Sequence, residues 1–275
     1  MTEFELSIVG PAFLACLLVL STHMPLGIEV LRRGIIFIDL AIAQVAGLGV
    51  IAADTMGWEA QGLMVQITAV GSALVAAWIL HWTDKRWPKL QEALIGVAFV
   101  LAATAGILVL AGNPHGGEHL KELLVGQVLW VSYERLLPVA IISALILFGW
   151  YWMRDRLAGF GFYALFAFAV TASVQLVGIY LVFACLIIPA LATRQIVRRG
   201  LRIFCGYGVG VVGCLAGLVL SVSADLPAGA IIVWSLAVSA LIFAWLVWPL
   251  IRHIDKPVDK RDKRGQIPFS DSSEN

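Results

Sequence analysis

The sequence predicts an all-α, polytopic membrane protein with about eight or nine transmembrane helices. Of its 275 residues, 60% are hydrophobic and only 13% are charged, and the mean hydropathy is +0.91. A soluble domain of this size carries about 25% charged residues. The apolar residues also form long blocks, several of which reach the roughly 20 residues that a helix needs to cross hydrocarbon. These observations exclude a soluble globular protein.

The candidate spans, in chain order, are eight apolar blocks: 6–24, 34–53, 63–82, 91–112, 136–153, 160–193, 203–222 and 227–250. The N-terminus lacks the basic segment of a cleavable signal peptide, so we expect it to lead directly into the first span. The block 160–193 is too long for one ordinary helix and short for two. Because Gly178 and Pro189 offer break points, we interpret it as two short spans or a broken pair.

The positions of the basic residues predict the orientation in the membrane. They cluster after alternate spans: Arg32, Arg33, Lys85, Arg86, Lys89, Arg154, Arg156, Arg194, Arg198, Arg199, Arg202 and Arg252. The intervening loops hold only Lys121 and Arg135. Since positive loops stay in the cytoplasm, the N-terminus should lie outside and the C-terminus inside. Residues 1–254 form the membrane domain, and the charged segment 255–275 is predicted to be a disordered cytoplasmic tail.

Two function classes are disfavoured by missing motifs. None of the six lysines is followed by Ser or Thr, so there is no Walker A motif for nucleotide hydrolysis. The spans also lack an HExxH motif or paired catalytic carboxylates, which argues against an intramembrane enzyme. We therefore do not expect an enzyme, and we also expect no nucleic-acid partner.

Three segments carry a family resemblance. The first has a Pro-Leu-Gly turn at 25–27, then VLRR, then Asp39, six residues beyond the second arginine. The second is VGIYLVFACLIIPALATRQIVRR, and the third is DLPAGAIIV at Asp225–Val233, with a weaker match in ELLVGQVLWVS. Together they resemble the permease subunit of zinc/manganese-type ABC importers.

The resemblance implies an all-helical permease with the fold of vitamin B12-type importers, located in the bacterial inner membrane. It implies a permease that pairs with itself, as a homodimer, or with a sister subunit. Two cytoplasmic ABC ATPases, which bind the ATP, would drive it, and a periplasmic metal-binding protein would supply it. The cargo would be a divalent metal ion, zinc or manganese and sometimes iron, with no permanently bound cofactor. The alternatives are a permease of this architecture for a metal chelate or another small solute and, less favoured, a secondary transporter or channel.

The sequence departs from the family pattern near Asp39. The family usually has a histidine four residues later, where this chain has Ala43, and the nearest polar residue is Gln44. Residues four apart on a helix lie within about 40°, whereas residues five apart are separated by about 140°. Asp39 and Gln44 can therefore share a face only if the helix widens locally, for example at a π-bulge. A second family histidine in the fourth span is also missing, and the loop after the fifth span is short.

We expect Asp39 to lie near the bilayer centre as a transient metal ligand on the transport path, with Gln44 as a second candidate ligand. An ionisable group within the membrane is costly and is by default a functional candidate. Carboxylate and amide oxygens suit manganese or a partly hydrated ion better than zinc. The alternatives are that Asp39 pairs with Arg33 or caps a helix, and that Gln44 only bridges helices.

Two further sites are predicted outside the spans. His115, His119 and Glu122 lie in a periplasmic loop and could relay metal, although a solvated loop is the alternative. The family resemblance implies an ATPase contact at Arg154, Asp155, Arg156 and Ala158, although the positive-inside bias alone explains the arginines. Glu92 is interpreted as an interfacial ion pair or cap, and His23 and His81 as structural histidines near span ends.

Overall fold

The computed structural model describes residues 3–58, 62–113, 116–153 and 159–251. In this part of the chain all regular structure is helical, which confirms the all-α class. The predicted tail 255–275 lies outside the described residues. Eight of the described helices are long and apolar enough to cross a membrane, and α8 is a shorter apolar helix.

The helices follow one another in chain order with short connections. The α-helices are α1 (Glu3–Arg33), α2 (Ile38–Thr55), α3 (Leu63–Arg86), α4 (Gln91–Leu110), α5 (Gly116–Val125), α6 (Tyr133–Met153), α7 (Phe160–Val177), α8 (Ile179–Ala192), α9 (Arg199–Ala224), α10 (Ala228–Ile242) and α11 (Trp248–Ile251). Single turns of 3-10 helix precede α4 and α6, and a π-helical segment, Phe243–Val247, joins α10 to α11. Helix α2 lies inside the bundle, against α3, α4, α7 and α8.

The Pro-Leu-Gly segment is not a turn, so that expectation was wrong. Helix α1 continues through Pro25 to Arg33. Proline has no amide hydrogen and leaves the carbonyl of Ser21, four residues earlier, without its helical donor. The hydroxyl of Tyr207 in α9 donates to this carbonyl oxygen at 2.8 Å. The helix can continue because a neighbouring helix satisfies the freed backbone group.

Tyr207→Phe should therefore weaken the packing of α9 on α1. We expect a loss of about 0.6–1.5 kcal/mol in the free energy of unfolding, because one interhelical hydrogen bond is removed. In a Pro25→Ala background the same change should have a smaller effect, since residue 25 then supplies the amide donor itself. Unfolding of the purified protein in detergent measures both effects. An equal loss in the two backgrounds would contradict this role of Tyr207.

The end of α1 leads into α2 through a tight turn. Gly34 has φ +71°, and the amides of Gly34 and Ile35 both donate to the carbonyl of Val30, at 3.0 and 3.3 Å. The next contacts come from other helices. The amide of Phe37 donates to the carboxylate of Glu92 at 3.3 Å, and the Phe37 ring stacks on Phe183 of α8. Glu92 is thus a cap for the start of α2, which was one of the two predicted roles.

The predicted break in block 160–193 is confirmed at Gly178, which has φ +83° and separates α7 from α8. Pro189 lies inside α8 and does not interrupt it. The first turn of α7 lies beside Arg33, and a Cβ on Gly27 would lie 3.2 Å from the Cβ of Ala190 near the end of α8. Helix α7 therefore begins, and α8 ends, at the same end of the bundle. This explains why basic residues flank the two helices on both sides.

The junction between α7 and α8 packs directly on the backbone after α5. Gly126 has φ +72°, and a Cβ there would come within 2.6 Å of the amide nitrogen of Gly178. A Cβ on Gly178 would in turn lie 2.7 Å from the Cα of Gly126. A Cβ on Gly229, at the start of α10, would overlap the carbonyl oxygen of Val125. Glycines at these positions allow three backbone segments to meet without intervening side chains.

The basic segments gather at one end of the bundle. His81, near the end of α3, lies 5.3 Å from Tyr163 in the first turn of α7, measured between ring centroids. Arg33 at the end of α1 contacts the same turn, and Glu92 of α4 reaches the start of α2. The ends of α1 and α3 therefore lie together with the starts of α2, α4 and α7, as the alternating charge pattern predicts.

Candidate functional site

The most unusual side chain of the interior is Asp39, the second residue of α2. Its exposed fraction is 0%, and Ala43, one turn further along the helix, is equally inaccessible. Helix α2 has 18 residues and a length of about 27 Å, so Asp39 lies at the end of the helix near the basic segments. The expectation of a position near the bilayer centre stays a prediction, whereas the position in the first turn of α2 is observed.

Neither structural alternative for Asp39 is observed. Arg33 donates from Nε to Oε1 of Glu29 at 2.7 Å, and Arg32 binds the same carboxylate, so Glu29 is the acid that holds both arginines. Asp39 makes no capping hydrogen bond. Within the described residues, both carboxylate oxygens of Asp39 are buried without a hydrogen-bond partner. A buried carboxylate in this state is destabilising for the fold and is free to bind a cation.

Gln44 does not join Asp39 on one face. Helix α2 is a regular α-helix without a π-bulge, so the two side chains diverge by about 140°. Gln44 lies on the same side as Ile51, seven residues later, whose Cδ1 would lie 3.4 Å from a Cβ on Gly106 of α4. Asp39 shares its side with Ala43. In this conformation Gln44 therefore faces α4, and the methyl group of Ala43 occupies the position of the family histidine.

The described part of the chain contains no group of three or more His, Cys, Asp or Glu side chains that could hold a metal ion. The site around Asp39 thus offers one carboxylate and no preformed coordination sphere among these residues. Weak and transient binding is what a transport path requires, because an ion must leave as readily as it enters.

Two residues of the predicted outer site lie in a helix. Helix α5 contains His119 and Glu122, which are three residues apart in the sequence. The side-chain amide of Gln127 donates to Oε1 of Glu122 at 2.7 Å, at an exposed position. His115 and the side chain of His119 lie outside the described residues. The predicted ATPase contact at Arg154, Asp155, Arg156 and Ala158 also lies outside them.

His23, which was interpreted as a structural histidine, lies at a different position along α1 than predicted. His23 was placed near a span end, but it lies within α1 and is fully buried. Its Nδ1 is 3.0 Å from the carbonyl oxygen of Val19, and its Nε2 is buried without a partner in the described part of the chain. The sequence did not indicate this position of His23, because Pro25 suggested that the helix ends earlier.

The comparisons with known proteins agree with this architecture. The sequence profile described as "ABC 3 transport family" matches residues 5–162 and 153–247. The chain belongs to the ABC 3 transport family. This membership confirms the resemblance drawn from the motifs, and it makes the chain a membrane permease of an ABC transporter.

Three relatives of this family member illustrate the match. The manganese transport system membrane protein MntC of Halalkalibacterium halodurans is 26% identical over 228 residues, covering 76% of each chain. A probable iron transport system membrane protein of Haemophilus influenzae is 27% identical over 163 residues, covering 52% of this chain and 60% of the relative. The structure of PsaBC from Streptococcus pneumoniae in complex with Fab superposes with a TM-score of 0.70 at 20% identity, covering 90% of this chain and 92% of that chain. This last likeness establishes the permease fold.

Proposed function

We propose that this ABC 3 permease imports divalent metal ions, zinc, manganese or iron, from the periplasm into the cytoplasm. The observation that carries the proposal is the buried, unpartnered carboxylate of Asp39 at the start of α2. The family membership and the names of the manganese and iron transport relatives support the same cargo class.

The donor chemistry favours manganese within this class. A lone carboxylate is a hard ligand, whereas zinc prefers imidazole or thiolate. Ala43 supplies no imidazole beside Asp39. A second candidate cargo is a metal chelate, and the observation that favours it is the lack of a three-ligand cluster among the described residues.

The charge distribution supports the proposed orientation of the assembly. The basic ends of α1 and α3 lie at one end of the bundle, which supports a cytoplasmic position for that end and a periplasmic N-terminus. An ABC ATPase would dock at this end, on the segment that contains Arg154, Asp155, Arg156 and Ala158. A second copy of the permease and a periplasmic metal-binding protein complete the assembly.

Reconstitution of the permease with its ATPase and binding protein tests the proposal. We expect ATP-dependent uptake and stimulated ATP hydrolysis with manganese, weaker effects with zinc or iron, and no flux through the permease alone. Ion flux without the ATPase would instead identify a channel or secondary transporter. Stimulation only by a metal chelate would replace the free ion as the cargo.

A further inference from the structure

The last turn of α1 contacts the first turn of α7 through Arg33. The Cζ atom of Arg33 lies 4.0 Å from the centre of the Phe162 ring. Phe162 is fully buried, and the side chain of Arg33 is 24% exposed. Oε1 of Glu29, one turn earlier in α1, accepts from Nε of Arg33 at 2.7 Å and holds the guanidinium group over the ring. This geometry is that of a cation–π contact in a partly buried setting.

The first turn of α7 is also fixed to other helices by aromatic contacts. Centroid distances from Phe162 are 6.2 Å to Trp150 of α6 and 5.7 Å to Phe166. On the next residue, Tyr163, the ring of His81 from α3 lies at 5.3 Å. The start of α7 is therefore packed directly against α1, α3 and α6.

Arg33 also stands directly before the turn that leads to Asp39. Only Gly34 and the short segment up to Phe37 separate it from α2, and the amides of Gly34 and Ile35 are bound back to α1. Asp39 is inaccessible in this conformation. A metal ion can reach its carboxylate only after this turn or the helices around it have moved.

We propose that Arg33 is a positioning residue that couples the start of α7 to the turn in front of Asp39, so that Asp39 becomes accessible when α7 moves. The proposal rests on the proposed function, in which the ATPase acts on the segment immediately before α7. Glu29 orients the guanidinium group of Arg33, and the ring of Phe162 is its contact on α7. Arg33 itself touches neither cargo nor nucleotide.

Two conservative substitutions test this coupling in the reconstituted complex. Arg33→Lys keeps the charge and a partner for Glu29 but lacks the planar group that stacks on a ring. Phe162→Leu removes the ring and keeps an apolar side chain. Arg32→Lys is the matched control, because Arg32 shares Glu29 but its side chain is 72% exposed. The readout is the number of manganese ions taken up per ATP hydrolysed, together with the melting temperature.

Since a cation–π contact corresponds to a factor of about 3 to 30 in an equilibrium, each single variant should lower the uptake per ATP about three- to tenfold. The melting temperature should be nearly unchanged in Arg33→Lys but lower in Phe162→Leu, because the Phe162 ring also contacts Trp150 and Phe166. The uptake per ATP of the double variant should fall no further than that of Phe162→Leu, because Arg33→Lys then has no ring contact left to remove. An unchanged ratio in both variants, or an equal loss in Arg32→Lys, would overturn the coupling. Absence of metal-dependent hydrolysis in the wild-type complex would overturn the proposed function, and this inference with it.

Discussion

Asp39→Ala is expected to lower metal uptake severely while the protein remains in the membrane at its normal level. A contact to a charged group is worth about 1.5–3 kcal/mol, so removing the carboxylate should lower uptake about 10- to 100-fold. The measurement is metal accumulation in cells that depend on this transporter, with membrane abundance followed on the same samples. Uptake at the wild-type level would show that Asp39 is not on the transport path.

The thermal stability of Asp39 variants distinguishes a functional role of this residue from a structural one. Because the carboxylate of Asp39 has no hydrogen-bond partner in the described structure, its removal breaks no observed contact. Asp39→Asn should therefore lose transport with a nearly unchanged melting temperature, since the carboxyl group that it replaces has no hydrogen-bond partner in the described structure. Asp54→Ala is the matched control, an acid at the opposite end of α2, and it should transport normally. A lowered melting temperature in Asp39→Asn would indicate a structural role instead.

Gly178→Ala should prevent stable folding. The residue has φ +83°, and a Cβ would lie 2.7 Å from both the Cα of Gly126 and the carbonyl carbon of Val125. The left-handed conformation and the backbone overlap together should lower the free energy of unfolding by about 2–5 kcal/mol. We expect a greatly reduced amount of protein in the membrane and a lower melting temperature for the remainder.

Alanine substitutions at two other glycines distinguish the conformational penalty of Gly178→Ala from its steric overlap. Gly34 also has a positive φ, +71°, but a Cβ there would meet nothing within 4 Å. Gly34→Ala should show only the conformational penalty, about 1–2 kcal/mol. Gly208, in the middle of α9, likewise has open space and a helical backbone, so Gly208→Ala should be neutral or slightly stabilising. A loss in Gly178→Ala no larger than in Gly34→Ala would contradict the importance of the crossing with Gly126.

The span positions were predictable because long apolar blocks in lipid have few alternatives to a helix. The break at Gly178 was also predictable, since the block 160–193 is too long for one span and has basic residues at both ends. The family could be predicted from the spacing of the arginine pair, Asp39 and the LIIPA run. Each of these signals is local or depends only on order along the chain.

The errors have a different origin. Pro25 ended the first predicted span, but α1 continues because Tyr207, distant in sequence, satisfies the carbonyl of Ser21. His23 was consequently placed near a span end when it lies well inside α1. The position of Asp39 along α2 was misjudged because residues 34–37, which the apolar pattern assigned to the span, form a turn before the helix.

The sequence by itself determined the helical membrane class, the alternation of basic loops and the presence of an acid in an apolar segment, because hydropathy and charge act residue by residue. Only the tertiary structure decided that Arg33 binds Glu29 and Phe162, that Gln44 turns away from Asp39, and that Asp39 is buried without a partner in the described residues. These features depend on which helices meet and at what rotation, and that is fixed by packing between residues far apart in the chain.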